Sequence, residues 1–352
     1  MANALQLAAR GLYSTSPNPR VGCVILRDGE LVGSGWHKMA GEPHAEIHAL
    51  EEAGAQARGA TLYVTLEPCA HHGRTPPCVD AIIASGVARV VAAMEDPNPL
   101  VAGRGLQALG EAGIEISAGL YEAQARTLNV GFVSRMTRRR PWLRVKMATT
   151  LDGKTGLANG ISKWITSPAA RRDVHRLRAR SCAIMTGSGT VLADDPELTV
   201  RETLTPRQPL RVVLDSQLRT PLAARIVGAN TLFVAVKPDA RKQEALNTLG
   251  AEVVYLDSDG KPELEPVLAM LAERGVNELL VEAGAELNAA LLQAKLVDEI
   301  VCYIAPTLFG HGARGMFAID DIVKIDDRID LSVVSQRRVG PDWRINARPL
   351  YD

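Results

Sequence analysis

Three side chains able to hold a transition metal, His44, Cys69 and Cys78, lie on separate segments, and any fold of this chain that uses them must bring those segments to one point. A structural zinc closes its tetrahedron with four protein ligands, whereas one nitrogen and two sulfurs leave a fourth position open to water. Glu46 stands two residues after His44. A carboxylate at that place can carry protons between a water-derived nucleophile and a leaving amine. The set predicts a catalytic Zn2+ site that hydrolytically removes an amino group from a ring carbon, with Glu46 as the proton carrier.

The local patterns agree with such a site. Gly41-Glu42-Pro43-His44, followed by Ala45-Glu46-Ile47-His48-Ala49-Leu50-Glu51-Glu52, predicts a helix start with Pro43 in the first turn. The run Ala60 to Leu66 predicts a strand, and Glu67-Pro68-Cys69 is the turn that leaves it. Cys78 opens a second helix that runs to Ser85 and stops at Gly86. Two helix N-termini then face one metal, and their positive ends favour thiolate over thiol. In the common zinc-deaminase pattern the cysteines stand as Pro-Cys-x-x-Cys, but here eight residues separate them. His71 and His72 lie in that insertion; such neighbouring imidazoles more often face substrate or solvent than complete a four-ligand site. His48 reads as packing or as a contact behind the ligands. Cys23, in the apolar strand Val21 to Leu26, reads as a buried small residue.

A chain of 352 residues predicts two domains. Strand and helix patterns alternate throughout, and with 46% apolar residues the class is globular α/β. Forty basic residues balance forty acidic ones, 13 of each through Arg140 and 27 of each beyond it, and aromatics make up 4%. A nucleic-acid partner, or a nucleic-acid-editing deaminase with an accessory domain, would call for a basic surface and stacking groups; neither half supplies them. A binding module on a dead deaminase fold is disfavoured by the intact His44, Glu46, Cys69 and Cys78. Arg138-Arg139-Arg140 beside Pro141 reads as a solvated linker, and a new strand begins at Trp142. The boundary therefore falls between a zinc-dependent deaminase domain, 1–140, and a second domain, 141–352.

Five cysteines, two of them assigned to metal, leave an odd number and no disulfide framework, which suits a reducing cytosol. Cys182 and Cys302 fall in apolar runs and read as core. The first ten residues read as a helix, not a signal peptide, and no segment approaches ~20 uninterrupted apolar residues. A cytoplasmic protein without a membrane partner is expected; the sequence is compatible with a homo-oligomer and silent on its size.

Beyond Trp142, strands are predicted at 183–186, 210–214, 231–236, 253–256, 278–281 and 300–304, with helical patterns between several of them. Such alternation predicts a largely parallel sheet with ligands at the carboxyl ends of its strands. Gly310-His311-Gly312-Ala313-Arg314-Gly315 has the spacing of a dinucleotide fingerprint but stands near the end of the domain, where no strand-helix-strand unit follows. Glu282-Ala283-Gly284, leaving a strand and entering a helix, is the better phosphate turn.

The motifs Ser16-Pro17-Asn18-Pro19-Arg20-Val21-Gly22-Cys23, Gly35-Trp36-His37, Gly41 to Glu46, Glu67 to Cys78 and Asp96-Pro97-Asn98-Pro99 closely resemble the bifunctional riboflavin-biosynthesis deaminase/reductase family. In the second half Lys146 to Lys154, Ser162-Lys163-Trp164-Ile165-Thr166, Gly187 to Pro196 and the Gly284 turn resemble its reductase half, so the likeness covers nearly the whole chain. It implies a cytidine-deaminase-like domain followed by a dihydrofolate-reductase-like one. The implied chemistry is hydrolytic deamination of 2,5-diamino-6-(5-phosphoribosylamino)pyrimidin-4(3H)-one, then NADPH-dependent reduction of the ribosyl group to ribityl.

The resemblance implies that Asn18, His37, Arg74 and Asp96 hold the phosphoribosyl pyrimidine in the first domain. In the second it implies Ser162, Arg178, Leu198, Arg201 and Glu282 at the substrate, and Ala148, Trp164, Thr190, Asp194, Ser216 and Gly284 at NADPH. A phosphorylated substrate suits the forked donors of Arg178 and Arg201. The proton donor of the reduction stays open between Asp194 and Lys146. Selection of NADPH over NADH is assigned to Ser216 with Arg219, against which Asp215, at a strand end, could favour a free 2′-hydroxyl.

Overall fold

The computed structural model of the chain describes residues 1–70, 77–99 and 101–351, and two units separate at Arg140, Met1–Arg140 and Pro141–Asp352. The first unit contains α1 (Ala2–Ala9), β1 (Gly22–Arg27), β2 (Glu30–Trp36), α2 (Ala45–Ala53), β3 (Thr61–Val64), α3 (Cys78–Ser85), β4 (Arg89–Ala92), α4 (Arg104–Glu111), β5 (Glu115–Ala118), α5 (Glu122–Leu128) and α6 (Val130–Arg138). Its five strands form one sheet in the order β2-β1-β3-β4-β5. The β1 strand is antiparallel to both neighbours, and β3, β4 and β5 run parallel.

Small residues decide where α2 lies. A Cβ on Gly33 would stand 2.2 Å from the Ala49 carbonyl oxygen, and one on Gly35 would stand 2.4 Å from that of Ala45. The helix backbone therefore rests directly on β2, with Ala45, Ala49 and Ala53 buried beneath it. This contact sets the height at which α2 begins, and with it the position of His44 and Glu46.

The second unit contains β6 (Trp142–Thr150), β7 (Lys154–Gly156), α7 (Pro168–Arg180), β8 (Ala183–Gly187), α8 (Ser188–Asp194), β9 (Leu210–Leu214), β10 (Thr231–Ala235), α9 (Ala240–Thr248), β11 (Glu252–Tyr255), α10 (Leu264–Glu273), β12 (Glu278–Val281), α11 (Ala285–Gln293), β13 (Glu299–Ala305), β14 (Arg314–Gly315), β15 (Leu331–Val339) and β16 (Asp342–Pro349). Nine strands form a sheet in the order β11-β10-β9-β8-β12-β6-β13-β16-β15. From β11 to β13 every pair is parallel, and the hairpin β15-β16 adds two antiparallel strands at the β13 side. Apolar side chains of the parallel strands are buried in two separate clusters, one around Leu143, Val145 and Leu279, the other around Ile184, Phe233 and Tyr303. A parallel sheet covered on both faces requires such uninterrupted apolar runs.

A cluster of charges sits deep in this sheet. Arg144 is 2% exposed and is held between Glu278 at 3.1 Å and Glu299 at 2.8 Å. A guanidinium can stay ionised there because both partners are anionic and hydrogen-bonded.

The predicted parallel sheet is present, and the six predicted strands fall on β8 to β13 within a residue or two. Two expectations need correction, and one element has no counterpart in the sequence reading. Pro43 precedes the cap residue His44 and lies outside α2. Regular pairing of β3 stops at Val64, so Thr65 and Leu66 belong to the exit. The hairpin β15-β16 was not foreseen, because β15 is exposed on both faces over Leu331 to Arg338 and carries no alternating pattern. Among the described residues no helix is long and apolar enough to cross a membrane.

Candidate active sites

In the first unit, the start of α2, the exit of β3 and the start of α3 meet at one point. His44 caps α2, and Cys78 is the first residue of α3. His44 Nδ1 lies 3.2 Å from Cys78 Sγ and 3.6 Å from Cys69 Sγ, and the ligand atoms of all three residues fall within 4.8 Å of one another. The Cys78 backbone N–H also donates to Cys69 Sγ at 3.3 Å. A hydrogen bond from Cys78 holds the Cys69 thiol well below the usual thiol range, against its burial, while that same bond and burial push Cys78 up. The contact with Cys69 raises His44. A divalent cation would replace the shared protons of this trio, and one nitrogen with two sulfurs is a zinc donor set.

Glu46, in the first turn of α2, is 3% exposed, and its Oε2 is buried with no hydrogen-bond partner among the described residues. Burial raises its carboxyl to about 7, against the opposing pull of His44. A buried carboxylate oxygen left unpartnered beside a set of metal ligands is an acceptor waiting for a donor. The residues therefore fit the ion that the ligand spacing predicts.

His37 packs edge-on against His44, with ring centroids 5.1 Å apart. Its Nδ1 lies 3.2 Å from the Pro43 carbonyl, which can only accept, so Nδ1 carries the proton and Nε2 accepts from the Asn18 amide at 3.0 Å. Burial lowers the His37 pKa and keeps the ring neutral. Asn18 and His37, two of the expected substrate residues, are thus one hydrogen-bonded pair beside the ligands. Asp96 sits in a loop whose Asn98 N–H donates to Asp96 Oδ1 at 2.8 Å. Arg74, His71 and His72 lie outside the described residues. His48 lies one turn behind His44, and its Nε2 is buried.

In the second unit the expected residues gather at the carboxyl ends of β6, β8, β9 and β12. Glu282 follows β12 and is held by both arms of Arg178 at 2.6 and 3.0 Å, with Lys146 Nζ at 3.5 Å. Although burial opposes it, Arg178 and Lys146 bring the Glu282 carboxyl to about 2. The Arg178 fork, expected to receive phosphate, is occupied here by Glu282 and by the Thr199 carbonyl at 3.1 Å. Arg201 is half-exposed, paired with Glu197 and in contact with Thr199 Oγ1 at 2.8 Å. Its backbone N–H donates to His175 Nδ1 at 3.2 Å. Leu198 is buried in an apolar cluster, which leaves its backbone as the part able to meet a ligand.

A second group surrounds the Gly284 turn. A Cβ on Gly284 would meet Thr190 Oγ1 at 3.8 Å, and one on Gly189 would meet nothing, so two backbone stretches present open space side by side. Gly284 caps α11 without a side-chain cap, which leaves first-turn N–H groups to a negative ligand. Ser162 Oγ donates to Asp194 at 3.0 Å, and Lys163 Nζ reaches the Asp194 carbonyl at 2.7 Å. Trp164 is 71% exposed beneath the Arg171 guanidinium, 4.5 Å away, and so is not core packing. Ala148 lies on β6, opposite Tyr303 of β13.

Asp215 is fully buried and accepts from the N–H groups of Arg219 and Thr220 at 2.9 and 2.8 Å. Its carboxylate is committed to a turn, so the caution it raised about a 2′-hydroxyl does not hold. Ser216 is half-buried beside it, and Arg219 reaches the Ser188 hydroxyl at the start of α8 at 3.2 Å. The Gly310 to Gly315 stretch forms a loop and the two-residue β14, and among the described residues it opens no α-helix.

Sequence reasoning missed two groups. Glu67, a turn residue by its sequence, is 3% exposed and accepts from four backbone N–H groups. His175 was not singled out; it lies on the buried face of α7, which no local motif marks. For Glu67 one signal was available, a charged residue directly after an apolar strand and before a proline.

Residues 1–94 match the family model of the cytidine and deoxycytidylate deaminase zinc-binding region, and residues 141–345 match the RibD C-terminal domain. The chain is 52% identical to the riboflavin biosynthesis protein RibD of Escherichia coli (strain K12), over 97% of this chain and 96% of that one. A solved structure of Acinetobacter baumannii RibD is similar with a TM-score of 0.94 at 44% identity, covering 99% of this chain and 98% of that one. A Thermotoga maritima structure described as a diaminohydroxyphosphoribosylaminopyrimidine deaminase/5-amino-6-(5-phosphoribosylamino)uracil reductase is similar with a TM-score of 0.88 at 35% identity, covering 99% and 97%.

Proposed function

Because the chain belongs to the RibD family of riboflavin-biosynthesis deaminase/reductases, we propose that it performs both reactions, deamination in Met1–Arg140 and reduction in Pro141–Asp352. The substrate of the first is 2,5-diamino-6-(5-phosphoribosylamino)pyrimidin-4(3H)-one. The product of the second is 5-amino-6-(5-phosphoribitylamino)uracil. The observation that carries this reading is the His44, Cys69 and Cys78 cluster with the unpartnered Glu46 oxygen beside it.

His44, Cys69 and Cys78 would hold a zinc ion, which would supply Lewis acidity toward water. Glu46, poised near neutrality, takes a proton from the attacking water and returns one to the departing amine, so ammonia leaves and a carbonyl takes its place. Asn18, His37, Asp96 and Arg74 are assigned to hold the pyrimidine. His37, neutral and fixed by the Pro43 carbonyl, orients the Asn18 amide.

Ala148, Trp164, Thr190, Asp194, Ser216 and the Gly284 turn would hold NADPH, which would supply the hydride for reduction at C1 of the ribosyl group. Ser162, Arg178, Leu198, Arg201 and Glu282 are assigned to the substrate, and Lys146 and Asp194 are the two groups able to furnish the accompanying proton. The Gly284 and Gly189 backbones support this seat, because side chains there would fill it. Arg219, drawn to Ser188, supports selection of the 2′-phosphate together with Ser216. A cytoplasmic location completes the proposal, since a reducing compartment keeps Cys69 and Cys78 available to metal.

Product analysis with the diaminopyrimidine tests the whole reading. Ammonia and the uracil are expected without NADPH, and the ribityl product with it; release of neither defeats the proposal. Arg201→Ala tests the phosphate contact. Loss of a charge-assisted bond of about 1.5–3 kcal/mol is expected to raise the apparent substrate constant of the reduction by roughly tenfold or more, with that of deamination unchanged. Equal weakening of phosphorylated and dephosphorylated substrates would show that Arg201 reads another group.

A further inference from the structure

Glu67 is a buried carboxylate without an ion-pair partner among the described residues, and its charge is met by peptide N–H groups alone. Its Oε2 accepts from Asp96 at 3.0 Å and from Gly103 at 2.9 Å; its Oε1 accepts from Gly105 at 2.8 Å and Leu106 at 3.4 Å. Its own N–H donates to the Met94 carbonyl at 3.0 Å. A Cβ on Gly105 would stand 2.0 Å from the Pro68 carbonyl oxygen. Main chain and side chain of the Glu67-Pro68 turn therefore grip both ends of the segment that carries Asp96 and Asn98.

The grip has a functional geometry. Gly103 caps α4 with no side-chain cap, and the Glu67 carboxylate, brought from a distant strand exit, takes over that task for the first-turn N–H groups. Cys69, a metal ligand, is two residues further along the same turn. The loop that presents Asp96 is thereby registered to the strand exit that presents Cys69.

We propose that Glu67 is a positioning residue for deamination, which acts on substrate binding by setting the Asp96 loop against the metal centre. This rests on the reading of the first unit as a deaminase with Asp96 at the pyrimidine. An amide in place of the carboxylate turns one acceptor oxygen into a donor that faces N–H groups. Two of the four bonds are lost and the loop is released, while Cys69 keeps its contacts with His44 and Cys78.

The full-length chain carrying Glu67→Gln is to be compared with wild type for zinc content, for KM and kcat of ammonia release, and for reduction of the deaminated pyrimidine. Zinc near one per chain, unchanged reduction, a KM raised about tenfold or more and a kcat within about threefold are expected. Glu67→Asp, which keeps the charge, should lie between wild type and Glu67→Gln. An unchanged KM, with kcat lowered in proportion to lost zinc or lost folded chain, would show a purely structural role and overturn the assignment. Should Glu67→Gln yield no folded chain, the same split measured on Glu67→Asp decides. A wild-type chain that releases no ammonia would overturn the deaminase reading and this assignment with it, whereas an active wild type with an unshifted variant KM overturns this assignment alone.

Discussion

Glu46→Gln is expected to lower ammonia release by about 10²-fold or more, the scale of a lost general acid-base group, while zinc content stays near one per chain. The physical basis is the position of Glu46 in the first turn of α2, buried, with one carboxylate oxygen unpartnered. Burial brings its carboxyl to about 7, where a group can accept and return a proton near neutral pH with little free-energy penalty. Glutamine has the same shape but neither accepts nor releases that proton. The metal-ligand atoms are supplied by His44, Cys69 and Cys78, so the substitution leaves the donor set intact. Metal analysis paired with an ammonia assay decides the matter. Loss of zinc would make Glu46 a ligand, and retained activity would remove it from the mechanism.

Zinc removal from the full-length chain should separate the two reactions. Chelation is expected to reduce deamination by orders of magnitude, because water free of metal has a pKa near 15.7 instead of about 7. Reduction of the deaminated pyrimidine by NADPH, followed as loss of absorbance at 340 nm, should stay within about twofold of the untreated enzyme. The three ligand residues all belong to Met1–Arg140, and among the described residues no comparable cluster lies in Pro141–Asp352. Added zinc should restore ammonia release. If reduction fell in step with deamination, the assignment of the two reactions to separate units would not survive.

Much of the candidate deaminase site was legible because its chemistry rests on residue type and local order. His44 with Glu46 reads as a helix start, Cys69 as a strand exit, and Cys78 as the next helix start; each is a short-range pattern of capping residues, turn residues and hydrophobic period. The α/β alternation of the second unit was legible for the same reason, since buried parallel strands are apolar on both faces. The reductase residues were reached through motif resemblance, as Arg178, Arg201 and Trp164 carry no local signal that separates them from ordinary surface or core groups.

Amino-acid order by itself marked His44, Cys69 and Cys78 as the candidate ligand set, Glu46 as the candidate proton carrier, a division near Arg140 and the run of parallel strands from β8 to β13. Tertiary structure alone decided which partners the distant charged groups meet: Glu282 with Arg178 and Lys146, and Glu67 with the helix start and loop that follow β4. It also decided the β15-β16 hairpin, whose outer strand has no buried face to write a period into its sequence. The reason is one of range. Capping, turn geometry and alternation act over a few residues and leave their mark in order, whereas a buried carboxylate is satisfied by whichever donors packing brings within 3 Å or so, and those donors stand tens of residues away in the chain.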